Sequence, residues 1–165
     1  MAVRVQEADF DIGAELDRLT DGNRKIGGLA VFVGLVREMH VREGLHRDRI
    51  DALTLEHYPG MTERLLAEID AEAHRRWPLD ATLIIHRYGR LEPGENIVLV
   101  ITASAHRQAA FEAAEFLVDW LKTKAPFWKL EDSGKGSKWV AAKAADDAAA
   151  DRWAEPPKPA RKAAR

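Results

Sequence analysis

Residues 29–36, Leu-Ala-Val-Phe-Val-Gly-Leu-Val, form an almost wholly apolar run that follows Gly27-Gly28 and ends at Arg37. The run is far shorter than the ~20 residues that cross a bilayer. It has no polar face on which a surface helix could lie, so it predicts a buried strand. A buried strand needs sheet partners and something to cover it, and the rest of the chain offers both. Short or alternating apolar runs at 3–5, 52–58, 81–88 and 96–103 read as further strands. Residues 127–131 and 138–141 read as a hairpin across the Gly-containing turn 132–137. Helices are predicted over 11–20, over 61–77 with Met61, Leu65, Ile69 and Ala73 on one stripe, and over 105–124 with Ser104 as its cap. Pro78 and Pro126 stop the two long ones. Two long helices among many strands joined by short turns predict an α+β fold with a largely antiparallel sheet, not a doubly wound parallel one.

Residues 38–49 are polar and charged and are expected to form a long, mobile, exposed loop. A single domain is expected over 1–145. Residues 146–165, rich in Ala, Lys, Arg, Asp and Pro, read as a flexible tail with a helical turn or two near Asp146–Trp153. A secretory signal and a membrane-spanning run are not recognisable, so the expected compartment is the cytoplasm, without a membrane partner. The formal net charge of -2 gives no basic field for nucleic acid, and the short Ala-Arg-Lys-Ala-Ala-Arg end is a weak candidate for it. The 165 residues include no cysteine, so the chain cannot supply a thiol nucleophile, a thiolate ligand or a persulfide. Any sulfur chemistry must import its sulfur. No Gly-rich phosphate loop is present, and no nucleotide cofactor is expected. Glu56 and His57 point to opposite faces of a strand, and His40, His46, His74 and His86 are scattered, so no metal site is expected.

Three places could carry chemistry. At Ser104-Ala105-His106-Arg107 a strand runs into a helix, whose open N–H groups and dipole, with His106 and Arg107, would suit an anion such as phosphate. The alternative is a capped helix with solvated side chains. Lys122, Lys124 and Lys129 lie within eight residues around Pro126, Phe127 and Trp128. Mutual repulsion could leave one lysine partly neutral and able to act as base or nucleophile, or they could simply complement the helix dipole. Strand alternation puts Phe127, Lys129 and Glu131 on one face. Arg37 closes the first apolar strand, with Phe32 on the opposite face by parity. Arg107 and Lys122 are 15 residues apart, about 22 Å along one helix. The two basic clusters can share a substrate only if two copies of the chain each lend one end.

Leu53–Met61 (LTLEHYPGM), the His106-Arg107 pair and Leu121–Glu131 (LKTKAPFWKLE), with WPL at 77–79 and GRLEPGE at 89–95, resemble in order and spacing the large, catalytic subunit of molybdopterin synthase. The resemblance runs from about Gly28 to Lys143. It implies an α/β-hammerhead fold and a homodimer within a heterotetramer. The partner would be a small ubiquitin-like sulfur carrier whose C-terminal Gly-Gly thiocarboxylate enters a pocket. The reaction implied is sulfur transfer to cyclic pyranopterin monophosphate (precursor Z), which makes the molybdopterin dithiolene of molybdenum cofactor biosynthesis. The resemblance also implies roles by position. Lys122 and Lys129 would be catalytic. His106 and Arg107 would contact the anionic substrate from the neighbouring subunit. Arg37, Phe32 and Glu131 would line the pocket. Lys143 stands where some members have arginine, and Val118 where some have methionine. A non-catalytic binder of a ubiquitin-like protein and a Schiff-base lysine enzyme are the other readings of the same residues.

Overall fold

In the computed structural model, residues 2–41, 47–140 and 144–154 are described. Their elements are β1 (Ala2–Gln6), α1 (Ile12–Thr20), β2 (Gly28–Leu35), β3 (Met39–Val41), β4 (Arg47–Arg49), β5 (Ala52–His57), α2 (Met61–Arg76), β6 (Ala81–Arg87), β7 (Gly89–Leu91), β8 (Asn96–Ser104), α3 (Arg107–Lys124), β9 (Phe127–Ser133), β10 (Gly136–Trp139) and α4 (Ala144–Asp151). One sheet has the order β1-β6-β8-β2 and a second the order β10-β9-β5-β7. Among the described residues only the β1–β6 pair is parallel. The fold is thus α+β and largely antiparallel, as the pattern of strands and turns predicts.

The first sheet is covered on both faces. Ile84 and Val100 point to α2 and α3 and pack with Leu66, Ile69, Phe116, Leu117 and Leu121, while Leu83, Ile85, Leu99 and Ile101 point to the side of Phe10 and α1. This two-sided burial explains why β6 and β8 read as continuous apolar runs and not as alternating ones. The second sheet closes a smaller core of Val36, Leu53, Leu55 and Leu91.

Several sequence expectations are corrected. The run 29–36 does form a strand, but β2 is the edge of its sheet and leaves Val31, Phe32 and Leu35 exposed. The buried stripe of α2 is Thr62, Leu66, Ile69, Asp70 and Ala73, while Met61 is exposed. The helix begins at Met61, as expected, with Gly60 at φ 80° in the cap position before it. Ser104 does not cap α3 with a strong bond. Its hydroxyl donates to Pro78 O at 2.8 Å, and His106 occupies the cap position without a side-chain cap bond. Within the supposed loop 38–49, β3 and β4 pair antiparallel, Met39 opposite Arg49, and Ile50 beyond them is buried.

The helical turn or two expected near Asp146–Trp153 is present as α4. Residues 144–154, assigned from composition largely to the tail, include α4, which docks on α3. Arg152 Nη2 and Trp153 Nε1 donate to Asp119 Oδ2 at 2.6 and 2.7 Å, and the Trp153 ring packs edge-on against Trp77 and Phe116. Alanine-rich composition hid this docking, because three specific side chains make it and not an apolar stripe.

Candidate active site

The helix α3 runs unbroken from Arg107 to Lys124, so its two basic ends are separated as the residue count predicts. At its C-terminal end lies a cavity of about 880 Å³. Its walls are the end of β2 with residues 36 and 37, the last turns of α3, and the first residues of β9. Five of the residues singled out from sequence, Phe32, Arg37, Lys122, Lys129 and Glu131, line it together. His106 and Arg107 do not; they are exposed at the far end of α3. Lys143 lies outside the described residues.

Phe32 and Arg37 were expected on opposite faces because they are five residues apart. They nevertheless share the cavity. The strand β2 ends at Leu35, where its register against β8 shifts past Ile97, the extra residue on β8, so the parity of β2 does not extend to Arg37. A Cβ on Gly34 would press on the side chain of Val98, its ladder partner just before the shift.

The lysines divide by their surroundings. Lys124 turns away and lies over the Trp120 ring, 3.4 Å from its centre, a cation–π contact that occupies its charge. Lys122 and Lys129 face the cavity. Lys122 Nζ is 3.8 Å from Asp146 Oδ1 of α4, with nearly half of the lysine side chain exposed. Such a solvated pair stabilises by at most about 1 kcal/mol, so the ammonium can be drawn off by a better anion. Arg37, Lys122 and Lys129 against one carboxylate, Glu131, and the partly exposed Asp146 leave the cavity with positive charge over an apolar floor of Val118, Leu121 and Phe127. An anion entering here meets fixed cations in a partly dry space, where their attraction is stronger than in water.

One lining residue was passed over from sequence. His86 is 7% exposed and shares the parity of Ile84, so it faces α3, beneath Phe127. The two rings stack at 3.7 Å with a 14° tilt. Burial pushes the imidazole down to about 4; the charges of Lys129 and His57 push the same way, against the bond to the Arg87 carbonyl. The signal that could have found it is strand parity: a histidine two residues after an α3-facing isoleucine, at the strand end nearest the lysines. Among the described residues no group of His, Asp or Glu side chains converges in a metal-binding arrangement.

A family model described as "MoaE protein" matches residues 5–124. The chain belongs to the MoaE protein family. The molybdopterin synthase catalytic subunit of Pseudomonas aeruginosa is 54% identical over 155 residues, covering 94% of this chain and all of that one. Among solved structures, the molybdopterin biosynthesis MoaE protein of Burkholderia ambifaria superposes with a TM-score of 0.77 at 50% identity, over 94% of this chain and 99% of that one. Molybdopterin synthase from Staphylococcus aureus superposes with a TM-score of 0.74 at 30% identity, over 84% and 96%. The MoaE match spans β2, α2, the first sheet and α3, so both basic ends of that helix belong to the family's common part. No helix among the described residues is long and apolar enough to cross a membrane.

Proposed function

We propose that this MoaE-family chain is the catalytic subunit of a molybdopterin synthase and works in the cytoplasm. It takes sulfur from the C-terminal thiocarboxylate of a small ubiquitin-like carrier and transfers it to cyclic pyranopterin monophosphate, forming the dithiolene of molybdopterin. The observation that carries this reading is the cavity that gathers Arg37, Lys122 and Lys129 in a chain with no cysteine. The site suits an anionic sulfur donor and a phosphorylated acceptor, and the sulfur itself arrives on a partner. The relatives' own description as a catalytic subunit supports a second, non-catalytic component.

In this reading Lys122 lies nearest the carrier's tail carbonyl and polarises it, and Lys129 neutralises charge or moves a proton as sulfur attacks. Each transfer leaves the carrier's tail as a carboxylate, with water supplying the oxygen that replaces sulfur. Phe32 and Arg37 form the pocket wall, and Glu131 holds a lysine in place. His106 and Arg107 bind the substrate's anionic group from the neighbouring subunit of a homodimer, at the uncapped start of α3. The exposed apolar edge of β2 supports such a dimer, since an uncovered strand of this kind invites pairing. Lys143 joins the substrate contacts as a cation without the two-pronged geometry of arginine.

The test is a single-turnover reaction of the protein with thiocarboxylated carrier and cyclic pyranopterin monophosphate, with the dithiolene product detected by mass spectrometry. Wild-type protein is expected to form product. Lys122→Ala is expected to lose about 10²-fold or more in rate with an unchanged circular dichroism spectrum. A wild type that binds carrier yet forms no product would overturn the assignment.

A further inference from the structure

We propose that His86 is a positioning residue of this site: it clamps Phe127 at the start of β9 and presents an uncharged Nε2 as hydrogen-bond acceptor to the Lys129 ammonium. The inference rests on the catalytic reading above for its consequence, but its geometry stands without it.

Three observations converge. First, His86 Nδ1 lies 2.8 Å from the carbonyl oxygen of Arg87. A carbonyl only accepts, so Nδ1 carries the hydrogen, and the neutral ring has its lone pair on Nε2. Second, the ring lies almost parallel to Phe127, and His57 lies on the same phenyl ring at 6.1 Å. His57 is also the residue paired with Phe127 in the β5–β9 ladder. Phe127 is thereby held from two strands, and Lys129 follows two residues later on the same face. Third, His86 lines the cavity with Lys129 and is almost fully buried.

The charged groups around it are Arg37, Lys122 and Lys129 on the cationic side and Glu131 and Asp146 on the anionic side, with His57 behind Phe127. Burial foremost, and then the charges of Lys129 and His57, disfavour a positive charge on the imidazole and lower its proton affinity against the bond to the Arg87 carbonyl. The ring therefore stays neutral over the working range and keeps an acceptor beside Lys129. A neutral acceptor favours the charged form of the lysine. It holds the ammonium in one place without cancelling its charge, as a carboxylate would.

Two measurements test this on the full-length protein. Histidine 15N chemical shifts of the wild type are expected to report the Nδ1–H tautomer of His86 from pH 6 to pH 9; an Nε2–H tautomer would overturn the proposal. The Lys129 titration, followed by 13C at Cε, is expected to fall by ~0.5 unit or more in His86→Phe, which keeps the stacked ring but removes the acceptor. His86→Gln, which can return an acceptor near the Nε2 position, is expected to restore part of that shift. Identical Lys129 titration in wild type and His86→Phe would reduce His86 to a spacer. If His86→Phe does not fold, the tautomer measurement and His86→Gln still decide. Sulfur transfer should slow about tenfold in His86→Phe with carrier affinity unchanged. Absence of transfer in the wild type, with the tautomer and the Lys129 shift as expected, would sink the catalytic reading and leave this one intact.

Discussion

A histidine held neutral in a dry site makes the folded protein sensitive to acid. His86 binds its proton at about 4 in the folded state and at about 6.5 in the unfolded chain. Its folded value is depressed, so the unfolded state takes up the proton first, and stability falls as pH drops from 6.5 through 4. The loss reaches on the order of 3 kcal/mol at the bottom of that window. Melting curves of wild type and His86→Phe at pH 7 and pH 4.5 should therefore converge at the lower pH, and an unchanged gap would contradict the burial of a neutral imidazole. Asp70 has the opposite sign. Both its carboxyl oxygens are buried without a hydrogen bond of good geometry, and the nearby Thr82 hydroxyl, 3.0 Å from His74 Nε2, offsets the cost of that burial only in part. Burial raises its proton affinity, so its destabilising effect grows as pH rises through the folded value. Asp70→Asn is expected to raise the melting temperature at pH 8 and to lose that gain near pH 4. Neither residue was readable as such from sequence. A lone histidine and a helix aspartate look solvated until their neighbours are known, whereas Lys122, Lys129 and Glu131 stood out through their spacing around Pro126. Phe32 and Arg37 were expected on opposite faces yet line one cavity, because β2 ends at Leu35 and strand parity cannot be carried beyond an end that the sequence does not mark.

At the scale of elements, the entry to β2 approaches the start of α3 closely, backbone to backbone. A Cβ on Gly27 would collide with the carbonyl oxygen of Ala105, one residue before His106. Backbone cannot swing aside as a side chain can. Gly27→Ala should lower stability by about 2 kcal/mol and shift the amide resonances of His106 and Arg107, while those of Lys122 and Lys129 stay in place. The docking of α4 gives a second test. Trp153→Ala removes a half-buried ring and a bond to Asp119, and is expected to destabilise by about 2 kcal/mol in chemical unfolding. If the segment were a loose tail, the change would be near zero. The long elements were legible because their periodicity is enforced over many residues: α3, β8 and the β9–β10 hairpin fall within a residue or two of expectation. The short ones, β7 and the β3–β4 pair, carry too few residues for a pattern. They exist because a neighbouring strand offers a ladder, as β5 does for Leu91 opposite Leu53.

For the whole molecule, the unbroken α3 has the largest consequence. Its C-terminal lysine lines the cavity while His106 and Arg107 stand at the other end, outside it. If both ends act on one substrate, each reaction site must take Lys122 from one copy and Arg107 from another. That geometry predicts complementation between two inactive variants. Lys122→Ala and Arg107→Ala are each expected to be nearly inactive alone. Mixed in equal amounts and allowed to exchange subunits, half of the dimers carry one copy of each. In those dimers one site has lost both residues and the other has neither substitution. Activity should recover to roughly a quarter of the wild-type value per chain. Sites contained within one chain would give no recovery at all, since no subunit in the mixture holds both residues. The outcome is read in the same single-turnover assay, before and after exchange. It separates a shared site from a self-contained one without requiring knowledge of how the two copies are arranged.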